Sequence, residues 1–109
     1  MPRTDSLQGS LDLLVLKILS RRPGLHGYAI MSAIKERSGE VLRADEGSLY
    51  PALHRMEEAG WLSSAWGQSE TNRRAKFYRL TKAGGRQLEA ETNQWERISL
   101  AISSALQAT

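Results

Sequence analysis

The stretch from Arg43 to Arg74 changes character repeatedly within a short span, and few folds accommodate those changes in that order. Leu49, Leu53 and Met56 recur at i, i+4 and i+7, which gathers them on one face of a helix. Tyr50, Pro51, His54, Arg55 and Glu58 are left on the opposite face. Asp45 or Ser48 can cap the helix start, and Gly60 can supply the left-handed residue past its end. Pro51 is expected within the first turn or so, where a missing N–H costs little. After Gly60, Trp61 to Gln68 reads as a strand, and Ser69 to Arg74 as a polar loop ending in paired arginines. A helix with a narrow apolar stripe and a hydrogen-bonding outer face is suited to reading a groove. The basic hairpin directly after it makes nucleic acid the expected groove.

The flanking segments complete this unit. Leu7 to about Ser20 forms a helix with one apolar stripe of Leu7, Leu11, Leu14 and Ile18, while Leu13, Leu16 and Leu19 lie well round from it. A helix apolar on nearly all sides requires cover on nearly all sides, and the excess points to a second copy. Arg21-Arg22-Pro23-Gly24 ends it. A second helix opens at Leu25-His26-Gly27-Tyr28 and runs to about Ser38, with His26 in a capping or packing role. Ala75 to Leu80, with Phe77 and Tyr78, is a second strand that closes the hairpin. From Thr81, a helix cap, Leu88, Trp95 and Ile102 recur every seven residues, with Ile98 and Ala105 at the second heptad position and Glu91 interrupting it. That stripe is too long for the preceding residues to cover, and it reads as an arm that packs on a second copy; the alternative is a helix folded back on its own domain. Gly84-Gly85 near its start weakens it, which close approach of its backbone to the wing would offset.

The expected fold is therefore mostly α with a small β-hairpin, a winged helix-turn-helix over residues 5–80 followed by a long C-terminal dimerisation helix over 81–107. Composition narrows the function. A chain of 109 residues holds one domain, or one domain and an appendage, and without Cys it has neither disulfides nor thiolate metal sites. Net charge is only +3, but six bases and no acid lie between Arg73 and Arg86. No nucleophile elbow, phosphate-binding Gly loop or paired His with metal spacing is present, so catalytic residues, metal and cofactor are all expected to be none. Asp45-Glu46 and Glu57-Glu58 read as a helix start and an exposed flank. The N-terminus lacks the layout of a secretion signal, no apolar run reaches the roughly 20 residues of a membrane span, and a cytoplasmic protein with no membrane partner is expected. A winged helix used purely for protein contacts would carry a neutral wing tip, and this tip is basic.

The chain resembles the PadR family of bacterial transcriptional regulators, in particular the short members with a single C-terminal helix. The resemblance is carried by Gly9-Ser10-Leu11-Asp12, His26-Gly27-Tyr28, Gly47-Ser48-Leu49-Tyr50-Pro51-Ala52-Leu53, Met56-Glu57, Gly60-Trp61 and Tyr78-Arg79-Leu80-Thr81-Lys82-Ala83-Gly84. Ser64-Ala65-Trp66 departs from it, being usually more charged in the family. The resemblance implies a homodimeric repressor on double-stranded DNA with an inverted-repeat operator, responsive to small hydrophobic or aromatic molecules. Carried onto this sequence, it brings Ser48, Tyr50 and Pro51 to the DNA, with His54 and Arg55 beyond them, Arg73, Arg74 and Lys76 on the wing, and Tyr28 at a phosphate. A core tyrosine supporting the wing is the other role open to Tyr50. In multidrug-sensing members interface tryptophans stack flat ligands, which makes Trp66 and Trp95 the candidate effector residues, although a Trp at a heptad position also serves plain packing. Dimerisation is assigned to Leu11 and Leu16 of the first helix and to Leu88, Trp95, Ile98 and Ile102 of the last.

Overall fold

The computed structural model describes the backbone of residues 3–108 and the side chains of residues 10–108. Its elements run α1 (Arg3–Arg21), β1 (Leu25–His26), α2 (Gly27–Arg37), α3 (Glu46–Glu58), β2 (Leu62–Gln68), β3 (Arg74–Leu80) and α4 (Lys82–Gln107). This is a winged helix with a long C-terminal helix. The hairpin is joined by a strand that the sequence reading placed inside the second helix: β1 pairs antiparallel with β3, Leu25 opposite Tyr78 and His26 opposite Phe77, giving the order β1-β3-β2. Helical periodicity in α2 begins only at Gly27, because His26 is still extended and its Nδ1 accepts from the Ala29 amide at 3.2 Å, as a cap. The same ring stands edge-on to Phe77, so His26 both caps and packs.

The core gathers Leu11, Val15, Leu16, Ile18 and Leu19 of α1 with Ile30 and Ile34 of α2 and Leu49, Leu53 and Met56 of α3. Leu11 and Leu16, expected on a dimer face, are 0% exposed within the single chain. The correction has a simple cause: α1 is the central element, packed against α2, α3, β3 and α4 together, so one domain covers the sides that seemed to need a partner. Leu88 is likewise half-buried against this core. The side chain of Leu7, first member of the α1 stripe, lies outside the described residues.

Two turns set the directions of α3 and α4. Asp45 caps α3 through its carboxylate, which accepts from the Ser48 amide at 2.8 Å, and Gly60 adopts φ +86 beyond its end. Since α3 starts at Glu46, Pro51 is its sixth residue and deeper than expected; the carbonyl of Gly47 loses its helical donor on the exposed side of the helix. Thr81 caps α4 at the Gly84 amide and also donates to the Gly60 carbonyl at 2.6 Å. A Cβ on Gly84 would drive into the Trp61 carbonyl oxygen and approach Leu80 Cδ1 to 2.7 Å, whereas one on Gly85 would meet nothing. Gly84 alone is the close approach that the glycine pair foreshadowed. Among the described residues no helix is long and apolar enough to cross a membrane.

Candidate nucleic-acid interface

A cleft of about 770 Å³ opens between the N-terminal ends of α2 and α3 on one side and the wing on the other. Of the residues expected at DNA, it brings together Tyr28, Tyr50, Arg73, Arg74 and Lys76, and Trp66 lines it as well. The α3 face that borders it is the one left over when Leu49, Ala52, Leu53 and Met56 enter the core, so the amphipathic pattern itself aims Tyr50 outward. Tyr50 lies across Gly27: a Cβ there would come within 2.6 Å of its ring carbon Cζ. The glycine that opens α2 thus makes room for the tyrosine that opens the reading face. Tyr28 is 70% and Tyr50 43% exposed, so neither is a core residue. Pro51 and His54 are exposed farther along α3, His54 with Glu58 at 3.4 Å, and Ser48 is half-buried near the cap.

The wing tip is a compact turn. Ser69 and Arg73 close it through an amide-to-carbonyl bond of 2.8 Å, and Asn72 takes the left-handed conformation at φ +65 that such a three-residue loop requires. Arg73 and Arg74 are exposed, and the Arg74 guanidinium rests 4.7 Å over the Trp66 ring. Trp66 is 60% exposed in spite of it. Two carboxylates, Glu46 at the start of α3 and Glu70 in the wing tip, line the same cleft, so its lining mixes both signs of charge.

Two of the expected DNA contacts are engaged elsewhere. Arg55 donates from both terminal nitrogens to the two oxygens of Asp12 on α1, each at 2.8 Å. Lys76 reaches Glu57 at 3.2 Å, and Glu57 in turn accepts from Ser64 Oγ at 2.6 Å. Glu57 is therefore not an exposed flank but the tie between α3 and both wing strands. The Ser64 hydroxyl above all, with the Lys76 ammonium, holds its carboxyl below the usual range against the opposing pull of burial. No spacing rule connects Glu57 to Ser64 and Lys76 or Arg55 to Asp12, because each pair meets only once the chain has folded. Burial also pushes the Tyr78 phenol up.

The two candidate effector residues are not brought together. Trp66 faces the cleft, whereas Trp95 stands on α4 and is 52% exposed, beside Ile98 at 48% and Ile102 at 54%. Among the described residues no group of His, Asp or Glu could hold a metal ion.

The sequence model described as the transcriptional regulator PadR-like family matches residues 15–90. The chain belongs to the PadR-like family. Its members are transcriptional regulators and not enzymes. The fold agrees with solved structures of such regulators. A transcriptional regulator from Clostridium thermocellum superposes with a TM-score of 0.82 at 29% identity, covering 92% of this chain and 96% of that one. A PadR family regulator from Clostridium difficile is 32% identical, with a TM-score of 0.71 over 87% of this chain and 96% of its own. A PadR-like regulator from Bacillus cereus gives 0.79 at 27% identity, over 96% and 99%. An uncharacterised protein of Lysinibacillus sphaericus is 26% identical over 90% of this chain and 89% of its own. An uncharacterised 37.1 kDa protein in a Streptomyces fradiae transposon is 40% identical over 89% of this chain, which spans only 25% of that protein.

Proposed function

We propose that this PadR-like regulator is a cytoplasmic homodimer that binds double-stranded DNA at an inverted-repeat operator and represses transcription. The observation that carries the reading is the cleft itself, where the polar face of α3 and the arginine-tipped wing flank one concavity. Arg73 and Arg74 supply phosphate contacts and hence affinity, with Tyr28 adding one from α2; Ser48, Tyr50, Pro51 and His54 face the base edges and supply sequence choice. Dimerisation is supported by Trp95, Ile98 and Ile102, which stand half-exposed along one stripe of α4. Pairing through α4 sets two α3 helices about one DNA turn, roughly 34 Å, apart. Replacing Arg73 and Arg74 by Ala is expected to weaken binding to all sequences and to flatten the log-affinity against log-salt slope by about 0.9 per lost phosphate contact. An unchanged slope refutes the wing assignment.

A small hydrophobic or aromatic effector releases the DNA in this reading. Trp95 suits it better than Trp66, because Arg74 already stacks on the Trp66 ring while Trp95 stands on the apolar stripe where the two copies would meet. Quenching of tryptophan fluorescence by a planar dye, lost in Trp95→Ala, is the expected result; no quenching across a diverse set of planar compounds rules the site out.

A further inference from the structure

Around α3 each residue turns the helix by about 100°, so Arg55 and Glu57 lie roughly 200° apart, one on each flank of the buried stripe. The stripe of Leu49, Ala52, Leu53 and Met56 is apolar, and apolar contact is non-directional. It holds α3 down, and polar bonds on its flanks add a directional restraint on how far the helix is rolled. The two flanking residues are each bonded to another element: Glu57 to the wing, and Arg55 to Asp12 of α1. The Asp12 side chain is only 15% exposed while that of Arg55 is 54%, so the guanidinium closes over a carboxylate seated in the seam between helices. Glu91 of α4 adds to the attraction on Arg55, and Gln87 donates to Glu91 at 2.8 Å. A guanidinium that meets one carboxylate with two parallel bonds is fixed in direction as well as in place.

We infer that Arg55 is a positioning residue: it sets the roll of the reading helix through Asp12 and makes no phosphate contact of its own. The inference rests on the DNA-binding reading above. Losing the Arg55–Asp12 bond leaves the charges of the wing untouched but lowers the fraction of molecules whose α3 presents Tyr50, Pro51 and His54 in register, and apparent affinity falls by that fraction.

The test is the binding of a labelled duplex carrying the chain's own promoter, followed by fluorescence anisotropy across a salt series. Wild type, Asp12→Asn, Arg55→Gln, their double variant, Arg55→Lys and Arg73→Ala are compared, with thermal melts to verify folding. Asp12→Asn and Arg55→Gln are each expected to weaken binding about fivefold at unchanged salt slope, and the double variant no further. Arg55→Lys keeps the charge but not the fork, and is expected to weaken binding as well. If Arg55 instead touches phosphate, Asp12→Asn frees it and tightens binding, Arg55→Gln flattens the slope by about 0.9, and Arg55→Lys is near neutral; that pattern overturns the inference. Unchanged affinity in Asp12→Asn and Arg55→Lys overturns it too. Wild type and Arg73→Ala separate the two levels: no binding of the duplex by wild type refutes the DNA-binding reading itself, while an unchanged slope in Arg73→Ala refutes only the wing assignment. Should Asp12→Asn melt too low to assay, Arg55→Lys against Arg55→Gln decides the question.

Discussion

The first helix and the distal half of the last one are both rich in large apolar residues, yet they meet opposite fates. In α1, Leu11, Val15, Leu16 and Leu19 are buried by the chain's own α2, α3, β3 and α4. In α4, Trp95, Ile98, Leu100, Ile102 and Leu106 are exposed. Apolar density states that a surface requires cover; it does not state who provides it. α1 lies at the centre of the head, packed against four elements, whereas α4 leaves the head beyond Glu91 and its large apolar residues from Trp95 onward stay exposed.

The comparison breaks most readily at its buried pole. Leu16→Ala is expected to lower stability by about 2–5 kcal/mol, read as a shifted denaturation midpoint. The same truncation at Ile102 should leave the melting of the head nearly unchanged at a concentration where the chain is monomeric; equal losses at both positions would mean the arm is part of the head's core. Next in size, charges on the arm, as Ile98→Glu or Ile102→Glu, are expected to weaken self-association by about 2 kcal/mol each, measured by sedimentation. A chain that is monomeric at micromolar concentration before any substitution ends the dimer proposal outright. The hinge between the regions carries a smaller, two-signed effect. Gly84→Ala forces a Cβ onto the Trp61 carbonyl and is expected to destabilise by about 1–3 kcal/mol. Gly85→Ala has open space and is expected to stabilise by about 0.5–1 kcal/mol. Equal responses at the two glycines would refute the close docking of α4.

The smallest effect is electrostatic and belongs to the head alone. The Glu57 carboxyl is held below its usual range by Ser64 first and Lys76 second. A depressed folded value means that the stabilisation is complete above the ordinary carboxylate range and is lost as pH falls through the folded value. Glu57→Gln should therefore flatten the acid limb of the stability profile, by about 1 kcal/mol or less for a group this near the surface. A limb as steep in the variant as in the wild type would mean the α3–wing tie adds nothing to stability.

Much of the architecture was legible because it is written in local patterns. The period of Leu49, Leu53 and Met56, the Asp45 and Thr81 caps and the Gly60 stop each depend on residues within a few positions, and each stands where expected. The alternation in the hairpin and the paired arginines marked the wing edge in the same way. Strand β1 escaped notice because two residues carry no period, and their partner is more than fifty positions away at Phe77 and Tyr78. The bond from Arg55 to Asp12 escaped notice for a related reason: a helical wheel shows that a base points away from the stripe, not that Asp12 of another helix waits beside it.

What the sequence determined by itself is the kind of each element, where it starts and stops, and which face of it is apolar, since propensity, capping and periodicity act over one or two turns. Only the tertiary structure decided which apolar faces the chain could cover with its own residues, and which bases remained free for a partner. Those outcomes depend on contacts between residues distant in sequence, as when α1 is enclosed by four elements and Arg55 and Lys76 are taken up by Asp12 and Glu57.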